Sequence, residues 1–348
     1  MANNCLLDGK SAYFLTDEYT RYYFSGVSVA EGYMLKTANS TYYFADARYF
    51  YALGQKLKNS NVIAKLYKSL DSIKQVITEL NITTLYIDYN VTTLTEYAKY
   101  KELGVEIKNG ADSLIEMRKS KNQTELNAIA KACKIASDAF EYVLPYIKAG
   151  VTERSIKNRL EKFMIKQGAT SPSFETIVAF GANSAVPHHQ TGNTKLKQNQ
   201  VVLLDYGCVF EGYCSDMTRT VFYGTPTQEF VSAYNLVASA NLLGEQKAVK
   251  GAKVKDVDKC VRDYFAKSGV DNYFTHSLGH GIGLQIHEDP YLSPRGQGEL
   301  DNGYVFSIEP GLYFDGKFGI RIENTVTIEN GKPKSLTGNG RDLIILGN

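Results

Sequence analysis

Apolar and polar positions follow a two-part pattern along the chain. From Ala12 to about Ile107, short apolar runs alternate with longer stretches whose apolar residues recur at helical spacing. Residues 42–45 and 84–88 are predicted to be buried strands, and residues 60–80, between them, are predicted to be helical. Strands that alternate with helices are typical of a small α/β domain.

A wholly polar segment, residues 118–125, ends this pattern. It is the predicted linker, with a helix beginning near Thr124. The chain has 348 residues, of which 43% are hydrophobic, and this is more than one ordinary domain needs. We therefore expect two domains, residues 1–118 and residues 119–348.

The second part contains a weak internal repeat. Residues 150–168 align without gaps on residues 251–269, and each stretch starts and ends with glycine. Three apolar positions, spaced as one stripe of a helix, match between the two stretches. Two amphipathic helices can be alike by chance. The alternative is a domain of two related halves with a site between them.

Charge and composition exclude several classes of partner. With 39 Lys and Arg residues against 37 Asp and Glu, the chain has no bulk attraction for nucleic acid or an anionic membrane. No stretch approaches the roughly 18 apolar residues of a spanning helix, and the start lacks the pattern of a signal peptide. The five cysteines are scattered without a C-x-x-C pair, which is typical of reduced thiols. We expect a cytoplasmic protein.

Two pairs of carboxylates are predicted to face each other across hairpins. Asp205 ends an apolar run, Asp216 lies in the next one, and a hairpin centred between Phe210 and Glu211 sets them opposite each other, roughly 5 Å apart. Glu309 and Glu323 are placed in the same way about Gly316. Taken alone, either pair is more often proton-sharing or salt-bridged than a metal site, because two close carboxylates resist double ionisation without a cation.

A glycine-rich stretch, residues 276–288, lies between the two pairs and carries three of the five histidines. Its glycines let the backbone approach a site closely. It has no phosphate-loop pattern and no H-E-x-x-H, and the chain lacks G-x-S-x-G, so zincin and serine-hydrolase chemistry are not indicated. Two carboxylate pairs with His280 between them favour a metal site over proton sharing.

At these positions the chain closely resembles the pita-bread metallopeptidases, the family of aminopeptidase P, prolidase, creatinase and methionine aminopeptidase. The resemblance runs from about residue 120 to residue 345, and the first domain resembles the creatinase-type amino-terminal domain. It implies an α+β fold, in which a pita-bread catalytic domain of two related halves follows a smaller α/β domain. The motifs that carry it are residues 204–207, 215–220, 276–283, 308–311 and 321–324.

The resemblance implies a metal centre in which Asp205 and Asp216 bridge one pair of sites and His280, Glu309 and Glu323 complete the coordination. Four carboxylates and one imidazole form a hard site, for which we expect two manganese ions, with cobalt, iron(II) or zinc as alternatives. Two ions about 3.5 to 4 Å apart lower the pKa of a shared water and polarise a carbonyl. The bridging hydroxide is expected to attack, with Glu309 as the proton acceptor.

Other roles follow from the resemblance. His188 and His287 are expected to stabilise the tetrahedral intermediate and to contact the residue after the cut. The context favours His188 over its neighbour His189 as the residue that points inward. His276 is either at the entrance of the site or a packing residue. Arg321 either holds the ligands through an ion pair or lies on the surface.

Two activities compete most closely. Xaa-Pro aminopeptidase releases the first residue of a longer peptide with proline second, whereas prolidase splits Xaa-Pro dipeptides and must hold a free carboxylate. Many prolidases have an arginine soon after the Ile-His-Glu segment, but here Tyr291 lies there and the next arginine is Arg295. The sequence therefore favours the aminopeptidase. Methionine aminopeptidase activity is not favoured, because it does not require the first domain. Creatinase activity is not favoured either, because it does not require the metal ligands that this chain keeps.

A non-enzymatic alternative is a pita-bread module that has lost its ligands and binds peptides. All five ligand positions persist here, so we expect catalysis. The resemblance also implies a homodimer formed through the amino-terminal domain.

Overall fold

The computed structural model describes residues 7–347. Within them the chain forms two compact units, one up to Arg118 and one from Lys119 onward. In this described part, no helix combines the length and the apolar character needed to cross a membrane. The four cysteines that it includes are free thiols, whereas Cys5 and most of the segment inspected for a signal peptide lie outside the described residues.

The first unit is built on a six-stranded sheet flanked by helices. In chain order the elements are β1 (Ser11–Leu15), α1 (Glu18–Ser25), β2 (Tyr33–Thr37), β3 (Thr41–Ala45), α2 (Phe50–Lys56), β4 (Val62–Leu66), α3 (Leu70–Glu79), β5 (Thr84–Ile87), α4 (Leu94–Tyr100), a 3-10 turn (Lys101–Leu103), β6 (Glu106–Asn109) and α5 (Ala111–Lys119). The strand order of the sheet is β4-β3-β2-β1-β5-β6. Strands β1, β2 and β3 pair antiparallel, and the remaining neighbours pair parallel.

Both faces of this sheet are buried. Alternate residues of β1 enter different cores, Phe14 on the side of α3 and Tyr13 on the side of α2 and α5, as the two-residue period of a strand requires. The predicted strands near residues 42–45 and 84–88 are present as β3 and β5. The prediction of one helix over residues 60–80 is wrong in its first third, because β4 forms there and pairs in parallel with β3.

The second unit contains two pairs of packed helices and several short sheets. In chain order the elements are α6 (Gln123–Val143), α7 (Glu153–Lys166), β7 (Ser171–Pro172), β8 (Ile177–Phe180), β9 (Gln200–Tyr206), β10 (Cys208–Phe210), β11 (Tyr213–Cys214), β12 (Met217–Tyr223), α8 (Gln228–Lys247), α9 (Val254–Lys267), β13 (Gly279–Gly281), β14 (Glu288–Leu292), β15 (Val305–Ile308), β16 (Gly311–Phe314), β17 (Phe318–Arg321), β18 (Asn324–Glu329), β19 (Lys332–Ser335) and β20 (Ile345–Leu346), with 3-10 turns at Leu144–Tyr146, Gly181–Ala185 and Asp271–Tyr273. Helix α6 packs against α7, and α8 packs against α9. The strand orders of the sheets are β11-β10-β7, β20-β12-β9-β8, β14-β13-β15-β18-β19 and β16-β17.

The start of α6 agrees with the predicted helix near Thr124. The Asn122 side chain accepts from the backbone N–H groups of Thr124 and Glu125, and the Glu125 carboxylate accepts from the Asn122 N–H. This reciprocal cap satisfies donors that a helix start leaves unpaired. The polar character of the predicted linker therefore comes partly from helix capping.

The repeated stretches form equivalent helices in two related halves. Helices α7 and α9 are both 14 residues long, and each packs one apolar face into the core of its own half. The loops before them are fixed alike, because Gly150 N–H donates to Leu196 O at 2.8 Å and Gly251 N–H donates to Leu300 O at 2.8 Å. The chance explanation of the repeat is therefore rejected.

Candidate metal centre

The first predicted carboxylate pair lies on the hairpin that β9 and β12 form. The predicted register is wrong by two residues, because Asp205 pairs with Thr218 instead of Asp216. Glu211 and Gly212 both have positive φ, at 47° and 79°, and form the two-residue turn between Phe210 and Tyr213. Asp216 lies in the break between β11 and β12, on the same side of the hairpin.

The second carboxylate pair has the predicted register. Ile308 pairs with Asn324 on one side of the glutamates, and Gly311 pairs with Arg321 on the other. Glu309 and Glu323 occupy the break between these two ladders. Their backbone N–H groups donate to carbonyls of other segments, Glu309 to Leu278 O at 2.8 Å and Glu323 to Thr218 O at 3.1 Å, so each carboxylate is positioned by a neighbouring strand.

His280 points a ring nitrogen at these carboxylates. Its Nε2 lies 3.6 Å from Asp216 Oδ2 and 3.4 Å from Glu309 Oε1. On the opposite side, Nδ1 lies 3.1 Å from Gly281 O, and a carbonyl only accepts, so Nδ1 carries the hydrogen. Burial, together with His287, lowers the pKa of His280 to about 4. The neutral ring therefore directs a lone pair from Nε2 towards anionic oxygens.

The carboxylates are crowded as well as buried. Burial is the main cause that raises the pKa of Asp216 and of Glu309 well above the usual range, and the Glu323 carboxylate adds to it in both cases. Burial and the Asp205 carboxylate raise the pKa of Glu323 to about 7. Like charges this close ionise together at neutral pH only with a cation between them.

The donor atoms fit divalent metal ions. Ligand atoms of Asp216, His280 and Glu323 lie within 4.8 Å of one another. Among the residues that the structure describes, the buried Oδ1 atoms of Asp205 and Asp216 have no hydrogen-bond partner. Buried polar atoms are rarely left unpaired, and a cation satisfies both oxygens together with the His280 lone pair.

Arg321 connects the two carboxylate pairs. It is 4% exposed, so the alternative of a surface arginine is wrong. Its Nη2 donates to Asp205 Oδ2, and its Nε donates to Thr218 Oγ1 at 3.0 Å. The Thr218 hydroxyl in turn donates to Glu323 Oε2 at 2.6 Å. One guanidinium thereby orients a ligand of each hairpin.

A hydrogen-bond chain continues from Arg321 to His276. Arg321 Nη1 donates to the Tyr313 hydroxyl at 2.6 Å, and that hydroxyl lies 2.9 Å from His276 Nε2. His276 Nδ1 donates to Ser277 O at 2.8 Å, so Nε2 accepts from Tyr313. Burial lowers the pKa of His276 to about 3 and raises that of Tyr313 to about 12, so both stay neutral at pH 7.

All ten predicted site residues line one cavity of about 520 Å³. His188 is exposed to it, and the His287 ring packs edge-on against His280 at 4.3 Å between centroids. Tyr291 is 44% exposed. The residues that line this cavity and were predicted as ligands, catalytic groups or substrate contacts are Asp205, Asp216, His280, Glu309, Glu323, His188, His276, His287, Tyr291 and Arg321.

Four supporting residues were missed from the sequence. Thr218 and Tyr313 hold Arg321, Ser307 donates to Glu309 Oε1 at 3.2 Å, and Glu153 binds the loop that carries His188. Hydroxyls and a helix-terminal glutamate carry no local pattern that indicates a site. For Thr218, the correct register would have been a signal, since this residue lies opposite Asp205.

Comparisons with known proteins agree with this geometry. Residues 127–330 match the family described as Metallopeptidase family M24, and residues 8–119 match the Creatinase/Prolidase N-terminal domain. The Xaa-Pro dipeptidase of Pyrococcus horikoshii is 34% identical and covers 93% of this chain and 91% of its own.

Two solved structures are similarly close. The Xaa-Pro dipeptidase from Bacillus anthracis has a TM-score of 0.91 at 34% identity, covering 96% of this chain and 95% of its own. The X-Pro aminopeptidase from Thermotoga maritima has a TM-score of 0.91 at 31% identity, covering 98% and 99%. The fold therefore has the predicted architecture, a creatinase-type amino-terminal domain and a pita-bread catalytic domain. The chain belongs to metallopeptidase family M24.

Proposed function

We propose that this chain is a metal-dependent prolidase, which hydrolyses the bond between the two residues of Xaa-Pro dipeptides. The observation that carries the choice of substrate is its likeness to relatives named Xaa-Pro dipeptidase, which match 93% and 96% of this chain. The sequence alone favoured the aminopeptidase, and these relatives favour the prolidase alternative instead.

The residues proposed to hold the metal ions are Asp205, Asp216, His280, Glu309 and Glu323. A pair of hard divalent ions supplies a water of lowered pKa and polarises the scissile carbonyl. The oxygen-rich donor set favours manganese, with cobalt, iron(II) and zinc as alternatives. Arg321 keeps the Asp205 carboxylate turned towards the cavity, because its guanidinium occupies Oδ2 and leaves Oδ1 free.

Glu309 is the proposed proton acceptor from the attacking water. Its side chain is 18% exposed, against 11% for Asp205 and 6% for Asp216, so it is the most open of these three carboxylates. Ser307 donates to one of its oxygens and leaves the other for a proton. His188 and His287 are proposed to contact the substrate carbonyl and the proline residue, since both face the same cavity.

A second candidate, the Xaa-Pro aminopeptidase, is favoured by the residues that line the cavity. Arg295 is exposed and is not among the lining residues, whereas Tyr291 is. The guanidinium of Arg321, which does line the cavity, is already bound to Asp205 and Tyr313. A dipeptide's free carboxylate therefore has only uncharged donors such as Gln190, Ser277 and the histidines to bind it among the lining residues, and a longer chain has no such requirement.

The test assays Ala-Pro, its carboxamide and Ala-Pro-Ala side by side, with manganese, cobalt, iron(II) or zinc added to metal-free protein. We expect kcat/KM for Ala-Pro to exceed that of the other two by roughly tenfold or more, because a hydrogen bond to a charged group contributes about 1.5–3 kcal/mol. Equal or faster cleavage of Ala-Pro-Ala would instead establish the aminopeptidase. A protein that takes up no metal and cleaves none of the three would be a binding module.

A further inference from the structure

A buried carboxylate holds both ends of the loop that carries His188. Glu153, the first residue of α7, has no exposed surface. Its Oε1 accepts from Phe180 N–H at 2.9 Å and from Asn183 Nδ2 at 2.7 Å. Its Oε2 accepts from Gly192 N–H at 3.0 Å and lies 3.1 Å from His189 Nε2. One oxygen thus binds the beginning of the loop, and the other binds its end.

The direction of the last contact follows from chemistry. An ionised carboxylate only accepts hydrogen bonds, and three N–H groups already point at Glu153, so His189 Nε2 is the donor. His189 is 17% exposed at its side chain. Its backbone N–H also donates to Val186 O at 3.1 Å. The residue directly after His188 is therefore fixed at both its backbone and its side chain.

His188 itself has no such anchor. Among the described residues, no hydrogen bond joins its side chain to the rest of the chain, and the ring is exposed to the cavity. On its other side, Pro187 O accepts from Arg321 Nη1 at 3.4 Å. The place of the His188 ring is thus set by its two neighbours, one tied to Arg321 and the other to Glu153.

The related half of the unit shows that the fold does not require a charge at this helix position. In the internal repeat, Glu153 corresponds to Val254, which is fully buried. The two residues share a backbone contact, Glu153 N–H to Thr194 O at 3.1 Å and Val254 N–H to Gly298 O at 3.2 Å. The helix start is therefore stable with an apolar side chain. The carboxylate occurs in the half whose loop carries His188.

We propose that Glu153 and His189 form a positioning pair that sets the location of the His188 ring in the cavity. The inference rests on the proposed function, in which His188 contacts the substrate. His189 also lines the cavity, but its Nε2 is directed at Glu153, and neither residue of the pair is assigned a contact with a reacting atom. They act through the backbone of the loop, and their removal leaves the metal ligands in place.

The first test replaces His189 in the full-length, manganese-loaded protein. His189→Ala removes the donor to Glu153, and we expect kcat for Ala-Pro to fall by on the order of tenfold to a hundredfold, because small misplacements of a reacting group cost that much. His189→Gln keeps an amide donor and should regain most of the activity. Val186→Ala is the matched control, since Val186 lies on the same loop and is 52% exposed. Manganese content should match the parent in all three. Tm should stay close to that of the parent in His189→Gln and Val186→Ala and fall modestly in His189→Ala, which takes a donor away from a buried carboxylate.

A double-variant comparison distinguishes a loss of His188 positioning from a general loss of activity or stability. In a His188→Ala background, His189→Ala should cause no additional loss of kcat, because there is no ring left to position. An equal loss in both backgrounds would overturn the proposal. Glu153→Gln is a weaker probe, since it leaves buried N–H groups facing an amide and endangers folding.

A readout that needs no turnover keeps this inference separate from the proposed function. The chain has five histidines, so ring ¹³C–¹H NMR signals of histidine-labelled protein, loaded with diamagnetic zinc in place of manganese, are few, and His188→Ala assigns the one of interest. The His188 signal should shift or broaden in His189→Ala and return in His189→Gln. An unchanged signal would refute positioning even in an active enzyme. A changed signal in a protein that cleaves neither Ala-Pro nor Ala-Pro-Ala would refute only the proposed function.

Discussion

The two carboxylate hairpins of the catalytic unit differ in how they were predicted and in how they are supported. The Glu309 and Glu323 hairpin has the predicted register, because its tip, around Gly316 at φ 68°, leaves one reasonable centre. In the other hairpin, Glu211 and Gly212 form the turn, as their residue types indicate, but the centre lies between them, one residue further along than the predicted centre between Phe210 and Glu211. A centre displaced by one residue shifts the cross-strand register by two.

The size of that error explains why the site was still found. Side chains alternate between the two faces of a strand, so a shift of two residues leaves Asp205 and Asp216 on the same face, whereas a shift of one would have separated them. What changes is the residue opposite Asp205, which is Thr218. The wrong register therefore prevented the prediction of Thr218 as a supporting residue but did not affect the prediction of Asp205 and Asp216 as ligands.

The largest expected effect comes from removing one charge from each hairpin. Asp216→Asn and Glu323→Gln should each lower kcat/KM for Ala-Pro on the order of a thousandfold, beyond the 10- to 100-fold loss typical of groups behind a metal ligand. Bound manganese, measured by elemental analysis, should fall in both variants. Equal losses would make the two hairpins equivalent parts of the centre.

The matched control for these variants is Asp263→Asn. Asp263 is an exposed acid paired with Lys259 on α9, so its neutralisation should leave activity and manganese content unchanged. If either ligand variant binds as much manganese as the parent and keeps more than about a tenth of the parent's activity, the replaced residue is not a metal ligand.

Much of the fold could be predicted because its signals are local. The cap at Asn122, the two glycine-bounded helices and the tight hairpin turns all depend on neighbours in sequence. Strand β4 was missed because its stability comes from parallel pairing with β3, which no local period reveals. The site shows the same division: charged ligands in hairpins are visible in the sequence, whereas hydroxyl partners from distant strands are not.

A smaller effect tests Thr218, the residue that the wrong register concealed. Thr218→Val keeps the shape but removes the donor to Glu323 Oε2 and the acceptor for Arg321 Nε. We expect manganese affinity and kcat/KM to fall by roughly 10- to 100-fold. The free energy of unfolding of the metal-free protein should fall by about 1–3 kcal/mol, since buried polar groups lose partners.

Thr220→Val provides the comparison for that variant. Within residues 7–347, the hydrogen bonds of the Thr220 hydroxyl are both to the backbone of Arg321, since it donates to the Arg321 carbonyl and accepts from the Arg321 N–H. It should lower stability by a similar amount and leave manganese affinity close to that of the parent. If both variants lose affinity alike, the hydroxyl of Thr218 has no special part in orienting Glu323.

The smallest effect is the dependence of stability on pH in the metal-free protein. The folded-state pKa of Glu323 is raised to about 7, above the roughly 4.3 of an unfolded glutamate. The folded state therefore keeps a proton that the unfolded state releases, and stability falls as pH rises between these values. His276 and His280 act in the opposite direction below about pH 6.5, because their lowered pKa values make the unfolded state bind more protons.

Above about pH 7 an unfolded imidazole with a pKa near 6.5 is mostly neutral, as His276 and His280 are in the folded state, so the carboxylates dominate there. We expect Tm of the metal-free parent to fall between about pH 7 and pH 8, and to fall less in Glu323→Gln, which has no proton to lose. Asp216 and Glu309, whose pKa values are also raised, account for the part that remains. Added manganese should abolish the fall in the parent, since a cation replaces the protons between the two hairpins. If Tm changes with pH in the same way in the metal-free parent and in metal-free Glu323→Gln, Glu323 is already ionised in this pH range. In that case the Arg321 guanidinium alone offsets the repulsion between the carboxylates of the two hairpins.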